Sequence, residues 1–247
     1  MLRPLLGVGM LVAALLALAG PGWGHGDELR DQPPPAKADF EPPAPGTYTL
    51  HPIMRAPSGS VVDLKGRSRR LAEFTTGKIT LLSFVYTRCS DAWGCPLAYR
   101  VFDAVGAAVE RSSTLRSRVR LVTLSFDPRH DTPEVMRQYA GEQASRGVDW
   151  QFLTTRSERS LLPLLAGFGQ DVRTGGNGRS DETSPLTHML KVFLIDPRGV
   201  VREIYSTAYL YPEVVLADIE TLRLASASRQ DARSGRAAEA RVRRPSP

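Results

Sequence analysis

Two cysteines, Cys89 and Cys95, are the residues of this 247-residue chain with the clearest capacity for chemistry. They are the only cysteines in the sequence, and they follow the apolar run Ile79–Tyr86. An unbroken apolar run is typical of a strand that is buried on both faces. Pro96 begins an apolar-periodic segment, and proline is favoured at the start of a helix, so Cys95 is predicted near the N-cap. The positive end of the helix dipole favours a thiolate, which is the form that attacks disulfides and binds metals.

The elements that must position these thiols alternate between strands and helices. In chain order we expect a β-hairpin within 47–71, a strand over 79–86, a helix over 96–111, a strand over 119–126, a helix over 133–144, a strand over 150–153, a helix over 157–168, strands over 189–195 and 200–205, and a helix over 212–224. Alternation indicates a mainly parallel sheet with helices on both faces, and the short turn before Val200 indicates an antiparallel final pair. This order predicts an α/β protein with a thioredoxin-like fold, in which helices flank a central mixed sheet extended by an N-terminal β-hairpin.

Four histidines are candidates for a place beside the thiols. His25 lies in a Pro- and Gly-rich stretch, His51 lies in the leading segment, and His130 follows a predicted strand. His188 lies at the start of the strand after the long polar loop, and in a thioredoxin-like fold that loop lies against the loop with the cysteines. Two thiols and one imidazole form a soft set of three ligands that suits Cu(I), with Cu(II) as the alternative. Zinc fits less well, because structural zinc sites normally have four ligands.

The two ends of the chain differ in composition from its middle. Residues 1–24 combine a basic start, an apolar run from Leu5 to Ala19 and small residues at its end, which is typical of a secretory signal peptide. A retained membrane anchor is the alternative. Residues 25–45 are predicted to be a Pro/Gly-rich linker, residues 46–225 the folded domain, and residues 226–247 a disordered basic tail. We therefore expect a periplasmic or other extracytoplasmic protein, soluble after signal cleavage or anchored to the inner membrane.

The net charge of +6 says little about partners. The predicted tail holds six arginines and two acidic residues, and therefore most of the excess positive charge. Because the predicted domain is nearly balanced, we expect no binding of nucleic acid.

Three roles are open to the cysteine pair on these residues alone. Cys89 and Cys95 could bind copper together with His188. They could instead form a redox-active pair that exchanges disulfides without a metal, with the second thiol resolving a mixed disulfide. The third role is a structural disulfide, because an exported protein meets an oxidising compartment.

Three motifs in this chain resemble those of the Sco/SenC family. The sequence Phe84-Val85-Tyr86-Thr87-Arg88-Cys89 followed by Cys95-Pro96 is similar to the family's F-x-Y-T-x-C-x-x-x-C-P. Residues 125–134, Ser-Phe-Asp-Pro-Arg-His-Asp-Thr-Pro-Glu, resemble S-V-D-P-x-x-D-T-P-E, and His188 with residues 192–199 resembles H-x-x-x-(I/V)-(Y/F)-L-I-D-x-x-G. The motifs occur in the family's order, and the resemblance covers essentially the whole predicted domain.

This resemblance implies a metallochaperone that helps to assemble the dinuclear copper centre of cytochrome c oxidase. It implies that Cys89, Cys95 and His188 are the copper ligands, with copper as Cu(I) or Cu(II). The implied partner is the copper-bearing subunit of the oxidase or another copper or thiol client, reached by a protein that is exported or tethered to the membrane. Copper delivery and reduction of the client's cysteines are both consistent with the family, and a metal-independent thiol-disulfide oxidoreductase is the alternative.

The cysteine segment departs from the family's pattern in its length. Five residues separate Cys89 from Cys95 where the family has three, and Ser90 stands where the family usually has proline. Gly94 gives the longer segment backbone freedom, so that the two sulfurs can still form a disulfide or bind a metal together. Trp93 is predicted either to cover the site or contact a partner, or to be a partly exposed loop aromatic.

Three further residues near these motifs are given structural roles. Asp131 is predicted to cap the helix that begins near Pro133, and Asp127 to accept hydrogen bonds at the end of the preceding strand. Met189 is adjacent to His188, and on a strand the two side chains would point to opposite faces. We therefore predict that Met189 is a core methionine rather than a metal ligand.

Overall fold

A computed structural model describes residues 35–89, 91–174 and 186–242 of the chain, with the backbone alone for 173–174, 186–188 and 229–242. The predicted signal peptide or anchor and residues 25–34 of the predicted linker lie outside the described residues. Within the described ranges, no helix has both the length and the apolar character that a bilayer-spanning helix requires.

The described residues form ten strands and six α-helices. The strands are β1 (Met54–Arg55), β2 (Ser60–Asp63), β3 (Ser68–Arg70), β4 (Ile79–Val85), β5 (Val119–Ser125), β6 (Trp150–Thr154), β7 (Val172–Thr174), β8 (Leu186–His188), β9 (Val192–Ile195) and β10 (Val200–Tyr205). The helices are α1 (Ala72–Thr75), α2 (Cys95–Arg111), α3 (Ser113–Arg116), α4 (Pro133–Ala140), α5 (Glu158–Phe168) and α6 (Pro212–Val242). A 3₁₀ turn over Gly141–Ser145 follows α4.

Eight of these strands form one mixed sheet in the order β1-β10-β9-β4-β5-β6-β2-β3. β4, β5 and β6 are parallel, whereas β9 runs antiparallel to β4 and β10 runs antiparallel to β9. The hairpin of β2 and β3 joins the sheet through antiparallel pairing of β2 with β6. β7 and β8 pair with each other in a separate two-stranded sheet. The predicted α/β class, mixed sheet and N-terminal hairpin are therefore confirmed.

Helices cover both faces of the sheet, and aromatic contacts show which helix lies on which face. Phe84 of β4 packs against Phe168 of α5, with ring centroids 5.4 Å apart. On the opposite face, Trp150 of β6 contacts Tyr99 and Phe102 of α2, at 5.4 and 5.9 Å between centroids. All seven residues of β4 are buried, as expected for a strand between two layers of helices.

Two predicted boundaries in the C-terminal half are wrong. The strand predicted over 189–195, with His188 at its start, begins at Val192, and His188 belongs instead to β8, which pairs with β7. The final helix was predicted to end at Leu224, before a disordered tail, but the backbone of α6 is helical as far as Val242. Good helix formers, mainly alanine and arginine, dominate this additional stretch, which local propensity favours as helix.

Candidate metal and thiol site

The sheet brings the segments with the predicted site residues to one edge. β4 and β5 are parallel, so the segment after β4 (residues 86–95, the cysteine loop) and the segment after β5 (residues 126–132, the aspartate segment) leave the sheet at the same edge. We call it the carboxyl edge. β9 is antiparallel to β4, with Val192 paired to Ser83, so the chain enters β9 at the carboxyl edge as well. Ligand sites in open α/β sheets gather at such edges.

The cysteine loop places two free thiols in different environments. Cys95 is the first residue of α2 and is 1% exposed, whereas Cys89 is partly exposed. Gly94 occupies the N-cap and offers no capping side chain, so the predicted position of Cys95 near the N-cap is confirmed to within one residue. Cys89 is therefore partly open to solvent, while its neighbour lies in the core.

The hydrogen bond between the two thiols shifts their pKa values in opposite directions. The Cys95 thiol donates to the Cys89 sulfur, and the backbone N–H groups of Cys95 and Asp91 and the Tyr86 hydroxyl add to this, which lowers the pKa of Cys89 to about 6 although burial opposes the change. Burial raises the pKa of Cys95 well above its usual value, and its bond to Cys89 raises it further. Cys89 is therefore favoured as the thiolate and Cys95 as the protonated thiol, in agreement with the rule that hydrogen bonds to the charged form stabilise it.

Four of the five spacer residues, 91–94, are described, and they form a tight turn that ends at Gly94. The backbone N–H of Gly94 donates to the carbonyl of Asp91 at 2.8 Å, and the N–H of Trp93 donates to the Asp91 carboxylate at 3.0 Å. A Cβ atom at position 94 would lie 3.3 Å from the Cys89 sulfur and 3.3 Å from the Asp91 carbonyl oxygen. Glycine thus lets the Cys89 sulfur approach the backbone that begins α2. Trp93 is 68% exposed, which agrees with an exposed loop aromatic, and its contact with a partner stays a prediction.

Asp131 fastens the base of the cysteine loop to the aspartate segment. It is 0% exposed and accepts hydrogen bonds from the backbone N–H of Thr87 at 3.1 Å, from Thr87 Oγ1 at 2.6 Å and from Ser125 Oγ at 2.5 Å. Burial raises the pKa of Asp131, and these hydrogen bonds oppose the shift. The prediction that Asp131 caps α4 is wrong. Thr132 directly precedes the first helical residue in extended conformation, and its hydroxyl accepts from the Val135 N–H.

Asp127 forms a second link between the same two segments. Arg88 Nη2 donates to its carboxylate at 3.0 Å, and His130 Nδ1 lies 3.2 Å from the same oxygen. The predicted role of Asp127 as a hydrogen-bonding residue at the strand end is confirmed. Sequence reasoning missed Tyr86, Thr87 and Arg88 as contacts of the site, although they lie inside the motif that contains Cys89.

The predicted histidines are distributed unevenly around this edge. The backbone of His188 lies in β8, paired with Val172, four residues before Val192 begins β9. The backbone of His188 therefore lies four residues before the point where the chain enters β9 at the carboxyl edge. Its place beside the thiols stays a prediction. His51 is exposed in the segment before β1, an outer strand of the sheet, and His25 lies outside the described residues. Among the side chains that the structure describes, no three His, Cys, Asp or Glu residues form a metal-binding group.

Met189 does not belong to the core. Its side chain is 68% exposed, whereas the adjacent Leu190 is 4% exposed. The prediction assumed strand alternation, but residues 189–191 connect β8 to β9 without belonging to a strand. The inward position is therefore taken by Leu190, and the predicted core methionine is wrong.

Comparison with known proteins agrees with this architecture. The profile of the SCO1/SenC family matches residues 58–223. The SCO1 protein homolog of Bacillus subtilis is 21% identical over 154 residues, which cover 60% of this chain and 73% of that protein. Among solved structures, copper-bound ScoI of Bradyrhizobium japonicum superposes with a TM-score of 0.54 and 21% identity, over 67% of this chain and 98% of ScoI.

A second solved structure is BsSco, described as a member of the Sco family of cytochrome c oxidase assembly proteins with a disulfide switch. It superposes with a TM-score of 0.52 and 21% identity, over 69% of this chain and 95% of BsSco. The structural likenesses confirm the thioredoxin-like fold that the element order predicted. The family profile spans well over half of the chain, from the N-terminal hairpin into α6. These findings show that the chain belongs to the SCO1/SenC family.

Proposed function

We propose that this protein binds one copper ion and helps to assemble the dinuclear copper centre of cytochrome c oxidase. Family membership supports the proposal, because one solved relative holds copper and another is described as an oxidase assembly protein. The observation that carries it is the pair of free thiols at the carboxyl edge, with Cys89 partly exposed and Cys95 buried. A partly exposed ligand residue gives a client protein access to the cargo.

The donor set fits copper as cargo. Thiolate sulfur is a soft ligand that favours Cu(I), and imidazole nitrogen suits copper in both oxidation states. Cys89 and Cys95 would supply the two sulfurs and His188 the nitrogen. Hydrogen bonds already favour the thiolate of Cys89 before any metal binds, so one of the two protons that binding must displace is held weakly.

The proposed place of action lies outside the cytoplasm. The pattern of residues 1–24 supports export, followed by cleavage or by retention as an anchor in the inner membrane. The proposed partner is the copper-bearing subunit of the oxidase or another client with copper-binding cysteines. Delivery of copper and reduction of those cysteines would use the same two thiols, and they are proposed as alternative tasks of one site.

An anaerobic copper titration of the reduced chain tests the proposal. We expect one copper per chain to be retained after desalting. Replacing His188 with Ala should lower copper affinity by more than the roughly 10- to 100-fold that is typical for loss of an outer-shell contact. His130→Ala is the matched control, because His130 lies at the same edge beside Asp127 and is not proposed as a ligand. Copper affinity that survives His188→Ala would refute the ligand assignment.

A metal-independent thiol-disulfide oxidoreductase is the second candidate, favoured by the unequal exposure of the two sulfurs. The Cys89 thiolate would attack a client disulfide, forming a mixed disulfide and releasing one client thiolate. Cys95, after losing its proton, would then attack the Cys89 sulfur, releasing the second client thiolate and leaving a Cys89–Cys95 disulfide. The client gains the two electrons that this chain loses.

Trapping experiments separate this candidate from copper binding. Cys95→Ser should accumulate a mixed disulfide with a client peptide that contains a disulfide, whereas Cys89→Ser should not. If Cys95→Ser accumulates no mixed disulfide while the unmodified chain retains copper, the oxidoreductase is refuted and copper binding stands.

A further inference from the structure

The end of α5 holds a buried amide side chain that the copper proposal does not use. Gly169 ends the helix in the left-handed conformation, with φ of +60°, and the next backbone N–H, that of Gln170, donates to Leu165 O at 2.8 Å. This C-terminal cap fixes the backbone of Gln170 relative to the helix. Its side chain is 3% exposed. A buried amide group in a rigid position can hold a neighbouring segment in place.

The segment that Gln170 holds is the one that leads from β8 to β9. Gln170 Nε2 donates to the carbonyl oxygen of Met189 at 2.8 Å. A second link runs in the other direction, since Lys191 Nζ donates to the Gly169 carbonyl at 2.5 Å. The Met189 side chain contributes little to this anchoring, because it is 68% exposed. The Gln170 amide therefore binds the carbonyl group immediately after His188.

The small sheet that contains His188 needs such a connection. β7 and β8 pair over three residues each, between Val172 and His188, Arg173 and Thr187, and Thr174 and Leu186. Neither strand pairs with the eight-stranded sheet in the described part of the chain. A two-stranded pair by itself is at best marginally stable in water. Gln170 precedes β7 and Met189 follows β8, so their hydrogen bond closes the open end of this pair.

We propose that Gln170 is a positioning residue for copper binding, through its hold on the backbone beside His188. This inference rests on the proposed function, in which His188 is a ligand. Loss of a residue that orients a metal ligand typically lowers metal affinity roughly 10- to 100-fold. The Gln170 Oε1 atom is buried and has no hydrogen-bond partner in the described residues, so the amide is held in the protein through its NH₂ group alone.

The test compares two variants that each remove one buried glutamine amide. Gln170→Met removes the bond to Met189 while keeping an unbranched side chain of similar length. Gln143→Met is the matched control, because Gln143 is also 3% exposed and its Nε2 donates to Asp103 at 2.7 Å. Gln143 lies in the 3₁₀ turn that leads back toward the start of β6, at the opposite edge of the sheet.

Hydrogen exchange of the metal-free protein is the first measurement. We expect the amides of residues 186–190 to exchange faster in Gln170→Met than in the unmodified chain, and at an unchanged rate in Gln143→Met. Copper binding is the second measurement. Gln170→Met should lower copper affinity roughly 10-fold and change the nitrogen hyperfine coupling in the Cu(II) electron paramagnetic resonance spectrum, whereas Gln143→Met should do neither.

The outcomes separate this inference from the proposed function. If His188→Ala lowers copper affinity but Gln170→Met leaves exchange, affinity and spectrum unchanged, the role of Gln170 is refuted and copper binding stands. If His188→Ala leaves copper affinity unchanged, the assignment of His188 as a ligand and the role of Gln170 are both refuted. Should Gln170→Met fail to fold, Lys191→Met removes the second link, and unchanged exchange over residues 186–190 in that variant would contradict the anchoring.

Discussion

Two buried carboxylates at opposite edges of the sheet differ in the charge of the groups that donate hydrogen bonds to them. Asp131, at the carboxyl edge, is 0% exposed, and Asp196, in the turn between β9 and β10, is 1% exposed. Asp131 accepts from two hydroxyl groups and one backbone N–H, all of them neutral. Asp196 accepts from the guanidinium groups of Arg198 and Arg202 and from two backbone N–H groups.

The titration of the two side chains reflects this difference. Burial opposes ionisation at both, but at Asp196 the hydrogen bonds from Val200, Arg198 and Arg202 outweigh it and lower the pKa. At Asp131 the bonds from Ser125 and Thr87 do not outweigh burial, and the pKa is raised. Among the described contacts, the buried carboxylate at the carboxyl edge, Asp131, has no directly bonded cation. At the opposite edge, Arg198 and Arg202 neutralise the charge of Asp196. The comparison indicates that the Asp196 turn is built for stability and that the carboxyl edge tolerates a less favourable arrangement.

Replacing Asp196 with Asn should lower the free energy of unfolding more than any other change considered below. Arg202 is 8% exposed, and the change would leave its guanidinium without a charged partner in the interior. Breaking a buried ion pair by removing one member typically lowers the free energy of unfolding by about 3–5 kcal/mol. Urea denaturation at pH 7 measures the loss, with Arg198→Gln as a control because Arg198 binds the same carboxylate from an exposed position.

The matching change Asp131→Asn should lower the free energy of unfolding less than Asp196→Asn does. The hydroxyl groups of Thr87 and Ser125 donate to different oxygens of Asp131, and the amide of asparagine keeps only one of these acceptors. One or two buried hydrogen bonds are therefore lost, but no buried cation is left behind. We expect a loss of about 1–3 kcal/mol in the free energy of unfolding. A larger loss for Asp131→Asn than for Asp196→Asn would overturn the comparison between the two edges.

The two variants should also differ in the sign of their pH dependence. The folded pKa of Asp196 is lowered, so its contribution is complete above the usual carboxyl value of 3.8 and is lost as pH falls through the folded pKa. The folded pKa of Asp131 is raised, so its contribution is greatest below 3.8 and declines as pH rises toward the folded pKa. The two carboxyl groups therefore stabilise the folded chain most in opposite parts of the acidic range.

Urea denaturation of the unmodified chain and of both variants at a series of acidic pH values measures these slopes. The stability difference between the unmodified chain and Asp196→Asn should shrink as the pH falls. The difference for Asp131→Asn should shrink as the pH rises. Slopes of the same sign would contradict the opposite pKa directions of the two carboxyl groups.

Arg88→Gln should have the smallest effect of the three changes on the free energy of unfolding. Arg88 binds Asp127 at 3.0 Å, but its side chain is 38% exposed. Partly exposed ion pairs typically contribute about 0–1 kcal/mol to stability. The free energy of unfolding should therefore change far less than in Asp131→Asn, which would show that the buried carboxylate rather than the surface ion pair fastens the cysteine loop.

Local patterns in the sequence were sufficient for much of the sheet and its helices. β4 and β5 followed from apolar runs, and α2 from its apolar period and Pro96. The short turn before Val200, which contains Asp196, was predicted from its place between two strands. In each case the signal lies within a few neighbouring residues, where side-chain period and turn chemistry act directly on the backbone.

The errors concern residues whose surroundings come from elsewhere in the chain. Asp131 was predicted as a cap because it precedes a helix, yet it binds Thr87, which lies 44 positions earlier. His188 was predicted at the start of the strand that ends at residue 195, yet its backbone belongs to β8 and pairs with β7. Met189 was assigned to the core on an alternation that holds only within a continuous strand.

The sequence by itself determined that two thiols follow a buried strand, that one of them begins a helix, and that three motifs match one family in order. Only the tertiary structure decided which thiol is buried, which groups donate to the Cys89 sulfur, and which buried carboxylate receives a cation. Motifs and periodicity act along the chain. Exposure and pairing depend on segments that meet only after the sheet has formed, so no local pattern records them.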